Sequence, residues 1–148
     1  MLKLITCLSL LFAANKAQAQ TAEDSVKKVV NNLFTAMITS DSTLLKTCFA
    51  DGAILQTISK KAGVEIKSEP LSEFVSLVGT QAKGSLDERI QFDVIRIDDD
   101  LAIAWTPYSF YYKSVFSHCG VNSFQLVRIG GAWKIQYLVD TRRKNDCK

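Results

Sequence analysis

The chain has 148 residues, and its 18 lysines and arginines nearly balance its 15 acidic residues. Hydrophobic residues make up 47% of the sequence, which is enough for one buried core of ordinary domain size. The balanced charge leaves no basic stripe, so the composition excludes nucleic acid as an expected partner.

Residues 1–19 have the pattern of a secretory signal peptide. A short basic start precedes the apolar run Leu4–Ala14, which is too short to span a bilayer, and Ala17-Gln18-Ala19 matches a small-x-small cleavage pattern. The alternative is an uncleaved N-terminal anchor. With cleavage before Gln20, we expect one domain over residues 20–148 that is periplasmic or secreted and has no membrane segment.

The first half of the remaining chain predicts three helices and a small hairpin. Apolar residues recur at helical spacing from Val26 to Met37, and Thr21 and Asp24 can satisfy the free N–H groups at the start of this helix. A short helix follows, capped by Ser40 or Asp41 and ended by Asp51-Gly52. Next comes a hairpin of Ala53–Ser59 and Val64–Lys67. The third helix is opened by Ser68-Glu69-Pro70 and ended by Gly79.

The second half predicts four strands after a polar connector at Gln81–Glu88. Pro107 implies a bulge or an edge position, because proline cannot donate a hydrogen bond to a sheet. Helices followed by strands in this order are typical of an α+β domain. The strands are expected at Ile90–Ile97, Leu101–Lys113, Phe116–Ile129 and Ala132–Thr141.

The block WTPYSFYYKSVFSHCGVNSFQLVRIGGAWKIQYLVDTRR resembles the C-terminal part of exported bacterial proteins of the nuclear-transport-factor-2-like, or cystatin-like, superfamily. Some of these proteins are labelled lumazine-binding. The resemblance implies a cone-shaped, curled antiparallel sheet packed on N-terminal helices. It also implies a pocket for a small apolar or heterocyclic molecule, and it is compatible with a homodimer. Because the superfamily includes isomerases and cyclases, the resemblance leaves the activity open.

Strand pairing can be argued from the turn at Gly130-Gly131. If this turn is tight, Ile129 pairs with Ala132, and Phe124 lies opposite Tyr137. Alternation then points one row of each strand into the pocket, although a bulge at Pro107 would reverse the row on the second strand. The residues expected to line a ligand pocket are Trp105, Ser109, Tyr111, His118, Asn122, Phe124, Tyr137 and Arg143.

His118 is the candidate catalytic residue, because a histidine in a dry pocket can act as general acid or base near neutral pH. The alternative is that His118 hydrogen-bonds a backbone carbonyl or Tyr111 and only shapes the cavity. Arg143 could meet an anionic ligand at the mouth of the cone, since a guanidinium suits carboxylate or phosphate. Asp140 and Arg142 share a face and are expected to form an ion pair that holds the strand end.

Three cysteines follow the predicted signal peptide, which is an odd number for an oxidising compartment. One disulfide and one free thiol is the simplest arrangement of Cys48, Cys119 and Cys147. We prefer a bond between Cys119 and Cys147, because Cys147 lies on a short tail that can fold back over the neighbouring strand. Three reduced cysteines are the alternative.

Metal and cofactor sites are not expected. One histidine and three scattered cysteines do not make a zinc site, and Asp98-Asp99-Asp100 lacks the spaced ligands and glycine of a calcium loop. Asp93 is the nearest candidate for a catalytic carboxylate, but its position on the strand favours an orientation toward solvent.

The sequence therefore supports three hypotheses. The leading one is an exported protein that binds a flat heterocycle in the cone pocket. The alternative is an isomerase, cyclase or dehydratase that uses His118 as general acid or base. The third is a dimeric accessory module that interacts through the outer face of the sheet, near Val121, Ser123, Gln125 and Leu138.

Overall fold

The structure, a computed structural model, describes residues 22–60 and 63–147. The predicted signal peptide, its cleavage site before Gln20 and the capping residue Thr21 lie outside these ranges. Within them, no helix combines the length and the apolar character that a membrane crossing requires.

Three helices cover one face of the sheet. Helix α1 spans residues 22–39, and its buried stripe includes Val26, Val30 and Leu33. Helix α2 (Ser42–Thr47) is capped by Asp41, whose side chain accepts a 2.8 Å hydrogen bond from Leu44 N. Helix α2 ends earlier than predicted, because the first strand already begins at Phe49. Helix α3 (Leu71–Thr80) starts directly after Pro70.

The strands of the described ranges form one curled, open sheet in the order β2-β1-β7-β6-β5-β3, and β4 also pairs with β5. Strands β1 and β7 are parallel, whereas the other neighbours are antiparallel. The predicted α+β class is therefore confirmed. The strands are β1 (Phe49–Ser59), β2 (Glu65–Glu69), β3 (Leu86–Ile90), β4 (Val94–Asp98), β5 (Leu101–Tyr112), β6 (Val115–Ile129) and β7 (Ala132–Arg143).

The strand predicted at Ile90–Ile97 is two strands, β3 and β4, separated by residues 91–93. This interruption lies beside Pro107, whose carbonyl accepts a 3.0 Å hydrogen bond from Gln91 N. The β5–β6 register runs unbroken through Pro107, which pairs with Val121. An irregularity was expected on β5, which contains Pro107. It is found instead between β3 and β4, because the missing N–H of proline leaves the hydrogen bonding to the neighbouring strand incomplete.

A bulge in β6 sets which side of β5 faces inward. The register passes from Tyr111 opposite Phe116 to Phe110 opposite His118, so Ser117 is an extra residue on β6. One extra residue reverses the facing of every side chain beyond it relative to the partner strand. The inward row of β5 is therefore Ala102, Ala104, Thr106, Tyr108 and Phe110.

A second bulge lies in β7. Leu126 pairs with Ile135, as expected, but Gln125 pairs with Tyr137, which leaves Gln136 as the extra residue. Phe124 consequently lies opposite Leu138, and the expected Phe124–Tyr137 pairing is wrong. Beyond the bulge, the inward row of β7 continues with Leu138, Asp140 and Arg142.

The hydrophobic core fills one end of the space between the helices and the sheet. Phe34 of α1 meets Phe124 of β6 edge-on, with ring centroids 6.3 Å apart. The other end of the same space is less completely filled and forms the cavity described below. Fully buried residues of the core are Val26, Val30, Leu33, Leu45, Val78, Phe124, Leu126 and Ile135.

The C-terminal tail is tied to the outer face of the sheet. Cys119 on β6 and Cys147 form a disulfide, with sulfur atoms 2.02 Å apart, and this is the pair preferred from the sequence. Arg143 Nε donates a 3.2 Å hydrogen bond to the carbonyl oxygen of Asp146 in the same tail. Cys48 is a free thiol and is buried, and burial raises its pKa to about 11.

Candidate functional site

A cavity of about 420 Å³ lies between the concave face of the sheet and helices α1 and α3. This volume is in the range of small-molecule sites. One part of its wall is apolar, and the other part carries polar and charged side chains. The apolar wall consists of Leu33, Phe34, Met37, Leu55, Phe74, Leu77, Leu86, Phe110 and Leu138.

Glu88 and Asn122 form a hydrogen-bonded pair in the polar part of the cavity. Asn122 Nδ2 donates a 2.8 Å hydrogen bond to Glu88 Oε1. Burial raises the pKa of Glu88 to about 7, and the nearby Asp140 charge adds to the increase, although the Asn122 hydrogen bond and Arg142 act against it. A carboxyl group with this pKa can exist in either protonation state near neutral pH.

Asp140 holds a second polar cluster together. Its Oδ1 accepts a 2.5 Å hydrogen bond from the Thr57 hydroxyl, and its Oδ2 accepts from the Tyr108 hydroxyl at 2.8 Å and from Arg142 Nε at 2.9 Å. Arg142 Nη2 also donates to Thr57 Oγ1 at 3.0 Å. The expected Asp140–Arg142 ion pair is observed, and it joins β1, β5 and β7 at one point.

His118 also lines the cavity. Its ring contacts Tyr108 and Phe110, with centroid distances of 5.7 and 5.1 Å, and its Nδ1 is 3.0 Å from Ser117 Oγ. Burial is the main cause of a lowered His118 pKa, and the positive charge of Arg142 adds to it. The neutral imidazole is therefore favoured, and the hydrogen-bond partner is neither a backbone carbonyl nor Tyr111.

Of the residues expected to line the pocket, the structure brings His118 and Asn122 together in the cavity wall. Phe124 faces the same side of the sheet but is fully buried in the core, where it packs on Phe34. Its role is therefore packing between the sheet and α1.

Trp105, Ser109 and Tyr111 lie on the outer face of the sheet, contrary to the expectation. Trp105 is 44% exposed, and the Arg89 guanidinium lies 4.3 Å from the centre of the Tyr111 ring. The Ser117 bulge is the physical reason, because without it these residues would have faced the same side as His118.

Tyr137 and Arg143 also point away from the cavity, because the Gln136 bulge reverses the end of β7. Tyr137 donates a 2.7 Å hydrogen bond to Gln56 Oε1, and Arg143 bonds the C-terminal tail. The same reversal turns Leu138 into the cavity wall, so it cannot belong to the outer interaction face where it was expected.

The carboxylate Glu88 was missed because residues 81–88 were interpreted as a polar connector. The short alternation Leu86-Asp87-Glu88-Arg89-Ile90 could have indicated a strand, since it places Leu86, Glu88 and Ile90 on one side. Asp93, the carboxylate considered in its place, is exposed.

Among the described residues, no group of three or more histidine, cysteine, aspartate or glutamate side chains is arranged to hold a metal ion. The acidic run at the β4–β5 turn instead pairs with Arg128, whose nitrogens lie 3.6 Å from Asp99 and 2.6 Å from Asp100. These ion pairs are exposed to solvent, and pairs of this kind contribute little to stability.

A family model described as "Putative lumazine-binding" matches residues 21–137. A comparison with curated proteins gave no match. Among solved structures, an NTF2-like protein of unknown function from Silicibacter pomeroyi DSS-3 is similar, with 14% identity, coverage of 84% of this chain and 98% of that one, and a TM-score of 0.68.

Two further structures show the same likeness. An NTF2-like protein of unknown function from Shewanella baltica OS155 shares 13% identity over 84% of this chain and 96% of its own, with a TM-score of 0.66. A protein with a cystatin-like fold from Nostoc punctiforme PCC 73102 shares 12% identity over 83% and 92%, with a TM-score of 0.65. At these identities the likeness shows the fold alone, and it confirms the curled-sheet fold that the resemblance implied.

Proposed function

Because the chain belongs to the family described as "Putative lumazine-binding", we propose that it is an exported protein that binds a small, flat heterocycle in the cavity. The observation that carries the proposal is the division of the cavity into an apolar wall and a polar part that contains the Glu88–Asn122 pair. Apolar walls with a few convergent polar groups are typical of ligand sites, because the walls supply affinity and the polar groups fix orientation.

The cavity walls favour a ligand with an apolar ring face. Phe34 and Phe74 approach from the helices, whereas Phe110 and Leu138 belong to the sheet. A flat ring between these side chains buries both of its faces, and its hydrogen-bonding edge can reach Glu88 and Asn122. Burial of apolar area of this kind contributes about 25 cal/mol per Å².

The site can be tested by filling the cavity. Leu138→Trp places an indole in the cavity wall, whereas Tyr137→Trp places the same side chain on the opposite face of β7 and is the matched control. Binding of lumazine is measured by titration calorimetry, and circular dichroism checks that both variants are folded. Lumazine binding by wild type and Tyr137→Trp, with loss in folded Leu138→Trp, supports the proposal. Equal binding by all three proteins contradicts this location of the site.

Native mass spectrometry of protein purified from its exported compartment provides an independent test. A small mass lost on denaturation supports constitutive ligand binding, and the intact mass reports cleavage before Gln20 and the number of subunits. Recovery of the protein from the cytoplasm alone, with residues 1–19 retained, contradicts export.

Acid–base catalysis is a second candidate function, and the raised pKa of Glu88 is the observation that favours it. A general base is most effective when its pKa lies near the working pH. Glu88 and His118 both line the cavity, so either side chain could transfer a proton to or from a bound molecule. Incubation of the protein in D₂O with the ligand found by mass spectrometry tests for acid–base catalysis. Deuterium incorporation that is lost in Glu88→Gln or His118→Gln supports catalysis, and no incorporation contradicts it.

A further inference from the structure

The charges in the cavity wall carry an inference about the chemical class of the ligand, and this inference rests on the proposed function. We infer that the bound heterocycle presents a basic, N–H-bearing edge, such as that of a 2-aminopyrimidine or an amidine, to Glu88 and Asn122. The cavity is correspondingly unsuited to an anionic ligand.

The inference starts from the ionisable groups that face the cavity. Three carboxyl groups line it, on Glu69, Glu88 and Asp140, and one guanidinium, on Arg142. The helices contribute only uncharged side chains to the wall, and His118 is favoured as the neutral imidazole. The cavity is therefore acidic overall.

The positive charge of Arg142 is already matched within the protein. Its Nε lies 2.9 Å from Asp140 Oδ2, and its Nη2 donates to Thr57, so its charge is matched by a carboxylate within the protein. An anionic ligand would meet a guanidinium whose charge Asp140 already neutralises, and it would also lie near Glu69 and Glu88. Like charges in a partly buried site repel strongly, because the surroundings screen them less than water does.

Asp140 offers no free oxygen to a ligand. Both of its oxygens already accept hydrogen bonds within the protein, from Thr57, Tyr108 and Arg142. Glu88 differs, because Asn122 bonds only its Oε1, and its Oε2 has no hydrogen-bond partner among residues 22–60 and 63–147. Glu88 Oε2 is therefore an open acceptor in the cavity wall, and a ligand N–H is the group that would satisfy it.

The protonation behaviour of Glu88 fits a basic ligand. The polar and charged groups that share the cavity with Glu88 or interact with it are Asn122 and His118 on β6, Asp140 and Arg142 on β7, Tyr108 and Tyr112 on β5, and Glu69 on β2. A protonated Glu88 can transfer its proton from the carboxyl oxygen to an unprotonated ring nitrogen of the ligand. The result is a carboxylate opposite a protonated heterocycle, joined by charge-assisted hydrogen bonds, with no net proton taken up from solvent.

Two probes that differ only at this edge test the inference: 2,4-diaminopteridine, which is a base, and lumazine, which carries oxygens at the same two positions. We expect wild-type protein to bind the diamino compound at least about tenfold more tightly at pH 7, and Glu88→Gln to abolish most of this preference. Glu65→Gln is the matched control, because Glu65 is exposed on β2 and does not line the cavity. It should keep the wild-type preference.

The outcomes separate this inference from the proposed function. Equal or tighter binding of lumazine by wild type, or a preference for the diamino compound that persists in folded Glu88→Gln, overturns the inference and leaves the binding function intact. Failure of wild type to bind either probe overturns both. Competition by a ring carboxylate such as benzoate at affinity similar to the diamino compound also contradicts the inference, because it would require an anion site.

Discussion

The ring of Tyr108 lies against the backbone of Gly120, its partner in the β5–β6 register. A Cβ atom at position 120 would lie 2.9 Å from Tyr108 Cε1 and would overlap the carbonyl oxygen of Thr141. The missing side chain lets Tyr108 reach across β6, so that its hydroxyl donates to Asp140 and, at 3.0 Å, to the Thr141 carbonyl oxygen. Burial is the main cause of a raised Tyr108 pKa, so the hydroxyl keeps the proton that it donates.

Gly120→Ala should therefore destabilise the protein severely, by about 3 kcal/mol or more, because the methyl group overlaps backbone that cannot move without breaking β6–β7 pairing. Urea unfolding followed by circular dichroism measures the loss. Ser123→Ala is the control, since Ser123 lies on the same strand but is only half-buried. A Gly120→Ala variant as stable as this control would show that the strands can separate at this point.

Glu88 should make the stability depend on pH. Its pKa is 4.5 as a reference value and about 7 in the fold, so the folded state binds more protons between these values. The free energy of unfolding should consequently fall as the pH rises from about 4.5 to 7, by up to about 3 kcal/mol from this group. Glu69 acts in the same direction, whereas the lowered pKa of His118 makes a contribution that rises with pH up to about 6.5.

The contribution of Glu88 can be isolated by substitution. Glu88→Gln should be more stable than wild type at pH 8 and close to wild type at pH 4.5, whereas exposed Asp93→Asn should follow wild type at both values. Urea unfolding at a series of pH values gives the comparison. A constant difference between wild type and Glu88→Gln across this range would contradict a raised Glu88 pKa.

Removal of the Asn122 amide should raise the pKa of Glu88 above about 7, because the hydrogen bond from Asn122 stabilises the carboxylate form. Asn122→Ala should also cost about 1–3 kcal/mol of stability at alkaline pH, where the charged carboxylate loses its donor, and less at acid pH. Titration of ¹³C-labelled glutamate carboxyls by NMR measures the midpoint. A midpoint in Asn122→Ala at or below that of wild type would contradict the assigned direction of this hydrogen bond.

Reduction of the Cys119–Cys147 disulfide should lower the stability by about 3–4 kcal/mol, because the bond closes a loop of 28 residues in the unfolded chain. Cys147→Ser should show the same loss without reductant, and addition of dithiothreitol should then have no further effect. Thermal unfolding with and without dithiothreitol measures both. If reduced and oxidised wild type unfold at the same temperature, the bond does not form in the purified protein.

The sequence predicted the class of the fold and most element boundaries because hydrophobic periodicity survives in single strands and helices. The pairs Ile129–Ala132 and Leu126–Ile135 follow from one turn, and both are observed. The side of the sheet on which Tyr137 lies does not follow from the turn, because the Gln136 bulge lies between Tyr137 and the turn. The extra residue Gln136 shifts the alternation by one, so alternation counted across it assigns the wrong face.

The positions of the bulges also explain which residues of the cavity could be predicted from the sequence. His118 and Asn122 lie on the stretch of β6 beyond its bulge, where alternation counted from the last turn remains in phase with the cavity. Glu88 was missed for a different reason, because three of the five residues from Leu86 to Ile90 are charged, and such a segment resembles a connector more than a strand. Its raised pKa depends on groups from distant strands, such as Asn122 and Asp140, and no local pattern contains that information.

The parallel pairing of β1 with β7 joins the beginning of the sheet to its end. The hydrogen bond from Thr57 to Asp140 spans 83 residues, so the polar part of the cavity can assemble only after strand β7 is available. Local hairpins such as β5–β6 can form earlier, but contacts this distant in sequence form slowly because they require closure of a long loop. A chain emerging from a ribosome therefore lacks the polar part of the cavity until strand β7 has been made.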